Sequence, residues 1–294
     1  MEYLRYPDNF FELADPQSNY KFSKAVIIPV PYEQTTTGMQ GTKLGPLFMK
    51  NASVCVQPYD EELDANSCEI GICTLPFLDS KATEQKIMDS VYSTAKQTLN
   101  DGKFPILIGG EHSISSAAVK ACSEHTSNIS VLHIDAHTDL ADMYGGTKHS
   151  HACAARRCFE AAKDMVQVGI RSTTLEEKEF AKQSNIAIFW AKDIFNHNLW
   201  IHEALKMLGQ HVYITIDLDG FDPSAIPAVG NPEPGGLSYY SVLELLKRTF
   251  KEKKVIGMDI VELCPRENDA SFVSDYTAAK LLYKCIGYKF FNKK

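Results

Sequence analysis

The segment Ile129 to Asp139, ISVLHIDAHTD, restricts what this chain can become more than any other. An apolar β-forming run ends abruptly in three polar groups at alternate positions, Asp135, His137 and Asp139. On an extended chain residues i, i+2 and i+4 project to one side, about 7 Å between successive ones. Two carboxylates and an imidazole on one side are poor core material, because unpaired charge in a dry interior is costly. They need a cation or each other, unless the segment is only a solvated acidic loop. Recurrence argues against the loop. Val212 to Ile216 ends in Asp217 and Asp219, Pro105 to Ile108 in Gly109-Gly110-Glu111-His112, and Val255 to Ile260 in Val261-Glu262. Four strand-like runs each deliver a ligand-type residue just past the carboxyl end, the edge of an open α/β sheet where ligands bind.

The rest of the chain supplies the sheet and its cover. Further strands are expected at Ala25 to Val30, where Pro29 marks an end or an edge position, at 68–77, at Met165 to Ile170 and at Ile186 to Trp190. Helical spacing or capping signals mark 45–53, 80–99, 113–123, 151–162, 174–183, 199–208, 239–251 and 273–286. Strands alternating with helices imply a parallel sheet covered on both faces. Residues 1–22 read as a polar surface extension, and Pro31 to Pro46 as a Thr- and Gly-rich loop of a length that is often functional. No linker, repeat or low-complexity run divides the pattern, so one domain is expected over 1–294.

Charge and cysteine usage exclude several classes. A net charge of −7 with a pI near 5.7 argues against a nucleic-acid phosphate footprint. No apolar run approaches the ~18 residues of a membrane span, and the start has no basic-then-apolar secretory signal. Cys55, Cys68, Cys73, Cys122, Cys153, Cys158, Cys264 and Cys285 form no CxxC pair. They read as reduced thiols of a cytoplasmic protein.

The candidate ligands are His112, Asp135, His137, Asp139, Asp217 and Asp219. Four carboxylates and two imidazoles exceed what one structural zinc needs. With no thiolate among them, the set leans to manganese or magnesium. The carboxylates suffice to bridge two ions, which sit ~3.5–4 Å apart in such sites and activate water at neutral pH. Glu262 is left as an anionic arm that can take a planar guanidinium bidentately. His151, in the loop GGTKHSHA, is either a proton-transfer group or simply a solvent-exposed residue. Two readings of other kinds remain at this stage. A guanidine-modifying enzyme could use Cys153 beside His151, though that leaves six metal-type residues without a use. A regulatory metal-binding protein would have no turnover at all.

The segments GGEHS (109–113), DAHTD (135–139), SHACAARR (150–157), TIDLDGFDP (215–223), NPEPGGLS (231–238) and MDIVEL (258–263) jointly resemble the signatures of the ureohydrolase superfamily, which includes arginase, agmatinase and guanidinobutyrase. The resemblance runs from about Ala25 to Tyr288. VPYEQTT, GTKLGP, SHA and NPEPGG make it most similar to bacterial and archaeal agmatinases. It implies a three-layer α/β/α sandwich on an eight-stranded, mostly parallel sheet, in a trimer or hexamer. It implies one manganese on His112, Asp135, Asp139 and Asp217, and a second on Asp135, His137, Asp217 and Asp219. Glu262 then matches the guanidinium-binding residue and His151 the residue that passes a proton to the leaving amine. The implied substrate is a small guanidino compound, agmatine foremost, giving putrescine and urea. Arginine is expected to be poor, because LADMYGGTKHSHAC lacks the run resembling Asn-Leu-His-Gly-Gln-Pro that helps arginases read an α-amino acid. Ala141, Asn231 (where Thr is usual) and the pair Cys153 and Cys158 depart from the pattern near the loops that frame the substrate tail.

Overall fold

A computed structural model describes residues 1–195, 197–265 and 272–292. Eight strands form the central sheet: β1 (Ala25–Val30), β2 (Ile72–Thr74), β3 (Phe104–Gly109), β4 (Ile129–Ile134), β5 (Met165–Ile170), β6 (Ala187–Trp190), β7 (His211–Asp217) and β8 (Lys254–Val261). Their order is β2-β1-β3-β8-β7-β4-β5-β6, and every pairing is parallel. The sheet is thus wholly parallel where the resemblance implied mostly parallel.

Alternation along each strand feeds two cores. In β1, Ala25 and Ile27 face one and Val26, Ile28 and Val30 the other. The first core lies under the helices Gly45–Ser53, Leu199–Met207, Tyr239–Glu252 and Val273–Phe291, and the second under Glu84–Asn100, Ser115–His125, Ala154–Ala162 and Leu175–Gln183. This is the expected three-layer sandwich. Each fully buried Ile or Leu contributes about 1.5–3 kcal/mol, so the apolar middles of the strands hold their polar carboxyl ends in place. Among the described residues no helix is long and apolar enough to cross a membrane.

The sheet order has a consequence for function. β3, β8, β7 and β4, the four strands that end in ligand-type residues, are consecutive at its centre. The four separate sequence signals therefore converge on one edge.

Two expectations need correction. Residues 1–22, expected as a polar surface extension, are partly buried against the sheet edge. Asn9 and Phe10 are fully buried, Phe10 N–H donates to Thr74 Oγ1 (3.1 Å), and Phe11 sets its ring edge-on to Tyr283. Leu4 N–H also donates to the Thr74 carbonyl (2.8 Å). The segment covers β2, an edge strand whose open backbone groups would otherwise be unpaired. The strand expected at 68–77 is shorter, because Ser67–Ile70 forms a 3₁₀ turn before β2. As for Pro29, it lies in a strand paired on both sides, but β2 matches only Ala25 to Ile27. At Pro29 only β3 remains as a ladder partner, so the missing N–H costs nothing.

Candidate active site

The six candidate ligands meet at the carboxyl edge of β3, β4 and β7. His112 opens the turn after β3, and its Nδ1 lies 3.1 Å from Asp135 Oδ2, 3.2 Å from Asp217 Oδ2 and 3.4 Å from Asp139 Oδ2. His137 Nδ1 lies 3.0 Å from Asp219 Oδ2 and 3.5 Å from Asp135 Oδ1. Asp135 therefore stands between two groups, one containing His112 and Asp139, the other His137 and Asp219; within each the ligand atoms lie within 4.8 Å of one another. Asp217 approaches the first through Oδ2, 3.2 Å from His112 Nδ1, while its Oδ1 accepts the backbone N–H of Asp219 (2.8 Å). All six are buried except His137, whose side chain is 24% exposed.

Whether a cation fits here can be judged from the hydrogen bonds. Thr215 donates its hydroxyl proton to Asp259 Oδ1 (2.6 Å), so toward His112 Nε2 (2.8 Å) it can only accept. That keeps the proton on Nε2, donated to Thr215 Oγ1, and turns the Nδ1 lone pair toward the carboxylates. His112 Nδ1 and Asp135 Oδ2 have no hydrogen-bond partner among the described residues although both are fully buried. A lone pair facing carboxylate oxygens needs a proton or a metal ion between them. In the protein alone a proton fills that role: burial opposes a charge on His112, but attraction to the Asp135 and Asp217 carboxylates raises it well above the imidazole range. Burial, then the neighbouring carboxylates, push Asp139, Asp217 and Asp219 up. Crowded acids that resist ionising without counter-charge, with only oxygen and imidazole donors, suit hard or borderline divalent ions.

Several supporting residues carry no signal in the ligand spacing. Asp259 also accepts from Tyr213 (2.8 Å), so Asp259 and Thr215 together set the orientation of His112. Such outer partners fix a metal-binding imidazole's tautomer. His133 Nε2 lies 3.0 Å from Asp135 Oδ2, its ring is stacked on that of His112, and its Nδ1 faces the Gln167 amide nitrogen (3.0 Å). With the Gln167 amide donating to Nδ1, the His133 proton sits on Nε2, facing Asp135. His133 Nε2 has no hydrogen-bond partner among the described residues, so what it offers Asp135 is an electrostatic contact. Its sequence signal was a histidine inside a buried strand, which has to find a partner. Glu111 is the third such residue. Its Oε2 accepts the Gln34 and Thr35 N–H groups (2.6 and 2.7 Å), and its Oε1 accepts the Thr35 and Ser113 hydroxyls (2.7 and 2.6 Å). It fastens the long loop 31–46 to the turn that carries His112.

That loop and the one at 230–233 enclose a cavity of about 570 Å³ with His137, Asp139 and His151 in its wall. The loops close on each other tightly: Met39 N–H donates to the Gly230 carbonyl (3.0 Å), and a Cβ on Gly38 would collide with Asn231 Oδ1 at 1.7 Å. His151 is 8% exposed; its N–H donates to Thr35 Oγ1 (2.9 Å) and its Nε2 lies 3.1 Å from Thr37 Oγ1. Glu262 is placed one layer behind the cavity wall. Its φ of 65° is left-handed, which costs a residue with a Cβ about 1–2 kcal/mol, and its Oε1 accepts the His112 N–H (2.8 Å). The other oxygen looks toward the cavity lining at Gly230, where an added Cβ would stand 3.4 Å away. Burial and then the charge of Asp217 push its carboxyl well up.

Cys153 does not serve as a nucleophile in this arrangement. It is fully buried, absent from the cavity wall, and burial pushes its thiol up, so little thiolate is available at neutral pH. Cys158 is buried with its thiol pushed up in the same way.

Sequence and structure comparisons agree with this geometry. The arginase family model matches residues 23–287. The chain is 39% identical to an N(1)-aminopropylagmatine ureohydrolase from Synechocystis, covering 96% of this chain and 94% of that one. It is 33% identical to an agmatinase from Pyrococcus horikoshii, covering 97% and 98% of the two chains. The solved agmatine ureohydrolase of Thermoplasma volcanium superposes with a TM-score of 0.85 at 30% identity, covering 93% of each chain.

Proposed function

Because this chain belongs to the arginase family, we propose that it is a two-metal hydrolase releasing urea from a guanidino compound with a cationic polyamine tail, N1-aminopropylagmatine ahead of agmatine. The observation that carries the reading is the convergence of six ligand-type side chains from central strands beside a cavity with no Lys or Arg among its described lining residues. Those residues include the carboxylates Asp139, Glu177 and Glu233. The α-carboxylate of arginine, or the carboxylate of guanidinobutyrate, would be stripped of water there without a partner, which is heavily penalised. A polyamine tail loses little. The aminopropyl compound is placed first because the Synechocystis and Thermus thermophilus relatives, at 39% and 37% identity, bear that name, and the cavity leaves room for the longer tail.

In this reading His112, Asp135, Asp139 and Asp217 hold one manganese and Asp135, His137, Asp217 and Asp219 the other. Bound there, the ions would supply an activated water and Lewis acidity at neutral pH. Glu262 takes the guanidinium, and Thr215, Asp259 and His133 keep the ligands aligned. In the protein alone burial first, and then positive charge at His112 and His137, push His151 down to about 4, which leaves its imidazole neutral. A neutral imidazole can accept a proton and pass it to the departing amine, with the Thr37 hydroxyl fixing its ring. Loss of urea leaves spermidine from N1-aminopropylagmatine and putrescine from agmatine. The proposal extends to one domain over 1–294, working as a trimer or hexamer in the cytoplasm, in keeping with eight cysteines that form no disulfide.

A urea-release screen of manganese-loaded protein across N1-aminopropylagmatine, agmatine, guanidinobutyrate, arginine and formiminoglutamate tests this. The two polyamine-type compounds are expected to lead in kcat/KM, with arginine and guanidinobutyrate at least about tenfold behind. Parity with arginine, or no urea from any compound, contradicts the proposal.

A further inference from the structure

We infer that Glu233 holds the ammonium of the substrate's tail and sets the preference for a cationic over an anionic one; this rests on the guanidino hydrolase reading above. Among the described residues three carboxylates line the cavity, and two are committed. Asp139 belongs to the ligand cluster. Glu177 accepts the Leu140 N–H on Oε1 (3.0 Å) and the Thr174 N–H and hydroxyl on Oε2 (2.9 and 2.7 Å), where it closes a helix capping box. The Glu233 carboxylate receives no hydrogen bond among the described residues. His137 Nε2 lies 3.9 Å from its Oε1, and the Glu233 side chain is 38% exposed.

Its place is suited to a tail. The His137 ring presents Nδ1 to Asp219 and Nε2 toward Glu233, so the carboxylate stands one imidazole beyond the ligand cluster, along the wall. A chain leaving a guanidinium at the cluster passes it on the way out. Its mount is also fixed to the cluster. Arg171 donates to the carbonyls of Glu233 (2.7 Å), Pro234 (3.0 Å) and Asp219 (2.7 Å), and Asp222 accepts the N–H groups of Gly235 and Gly236 (3.0 and 3.1 Å). One guanidinium thus ties the Asp219 turn to the loop bearing Glu233, which sets the spacing between a metal ligand and the tail contact. Agmatine and its aminopropyl derivative both carry a cationic nitrogen four methylenes from the guanidine. Guanidinobutyrate ends in a carboxylate, and like charges brought together are strongly disfavoured.

The test uses manganese-loaded full-length protein with Glu233→Gln and Glu233→Lys, reading kcat/KM for agmatine and guanidinobutyrate alongside manganese content. The agmatine-to-guanidinobutyrate ratio is expected to fall by at least about tenfold in Glu233→Gln and further in Glu233→Lys, chiefly through KM, with metal content as in the wild type. A wild-type enzyme that hydrolyses agmatine while Glu233→Gln keeps its ratio overturns the role of Glu233 alone. Loss of manganese in Glu233→Gln overturns it too, by making Glu233 a support for His137. No urea from the wild type with either compound overturns the functional reading itself, and this inference with it.

Discussion

Replacing Asp135 or Asp217 by Ala is expected to lower turnover by at least about a thousandfold while the protein stays folded. Asp135 touches both ligand groups, through His112 at 3.1 Å and His137 at 3.5 Å, and Asp217 reaches His112 at 3.2 Å and the Asp219 N–H at 2.8 Å. Losing either removes charge from both proposed ion positions at once. For Asp217 the fold should survive, because burial and the neighbouring carboxylates hold its carboxyl up, and removing it relieves repulsion in the metal-free protein; for Asp135 circular dichroism decides. Manganese content by mass spectrometry, turnover and circular dichroism check this together. Nearly two ions per chain with normal turnover in either variant would contradict the ligand assignment.

The second large effect is expected at His151. Changing it to Ala should reduce kcat by about a hundredfold or more and leave KM nearly unchanged, since proton transfer acts on the reaction and not on guanidinium recognition. Its ring stands in the cavity wall, held by Thr37, while its backbone hangs on Thr35 and thereby on Glu111. Added imidazole should restore part of the rate. A change confined to KM would make His151 a binding residue.

Much of this was legible in the residues themselves. The runs ending in Asp135, Asp217, His112 and Glu262 are strands, and their carboxyl ends meet. Alternation reports burial, and a charged end on a buried strand reports a site. The consecutive order β3-β8-β7-β4 was not legible, because strand neighbours are chosen by long-range packing that no local spacing encodes. His133, Thr215 and Asp259 were hidden for a related reason. Each sits within a run that reads as buried strand, and only the assembled sheet reveals that His112 needs Thr215 behind it and Asp135 needs His133 beside it. Residues 1–22 misled because they show no regular hydrophobic period, whereas the buried Asn9 and Phe10, together with the Leu4 N–H on Thr74, cover β2. Glu262 was legible as a carboxylate at a strand end, but its left-handed backbone and its place behind Gly230 were not.

The central claim is that this strand edge is a two-ion site, and anomalous scattering from crystals of manganese-loaded protein tests it most directly. The account predicts two manganese peaks per chain, one beside His112 Nδ1 and Asp139, the other beside His137 Nδ1 and Asp219, with Asp135 and Asp217 between them. A single peak, or peaks away from these side chains in protein that releases urea, would contradict it.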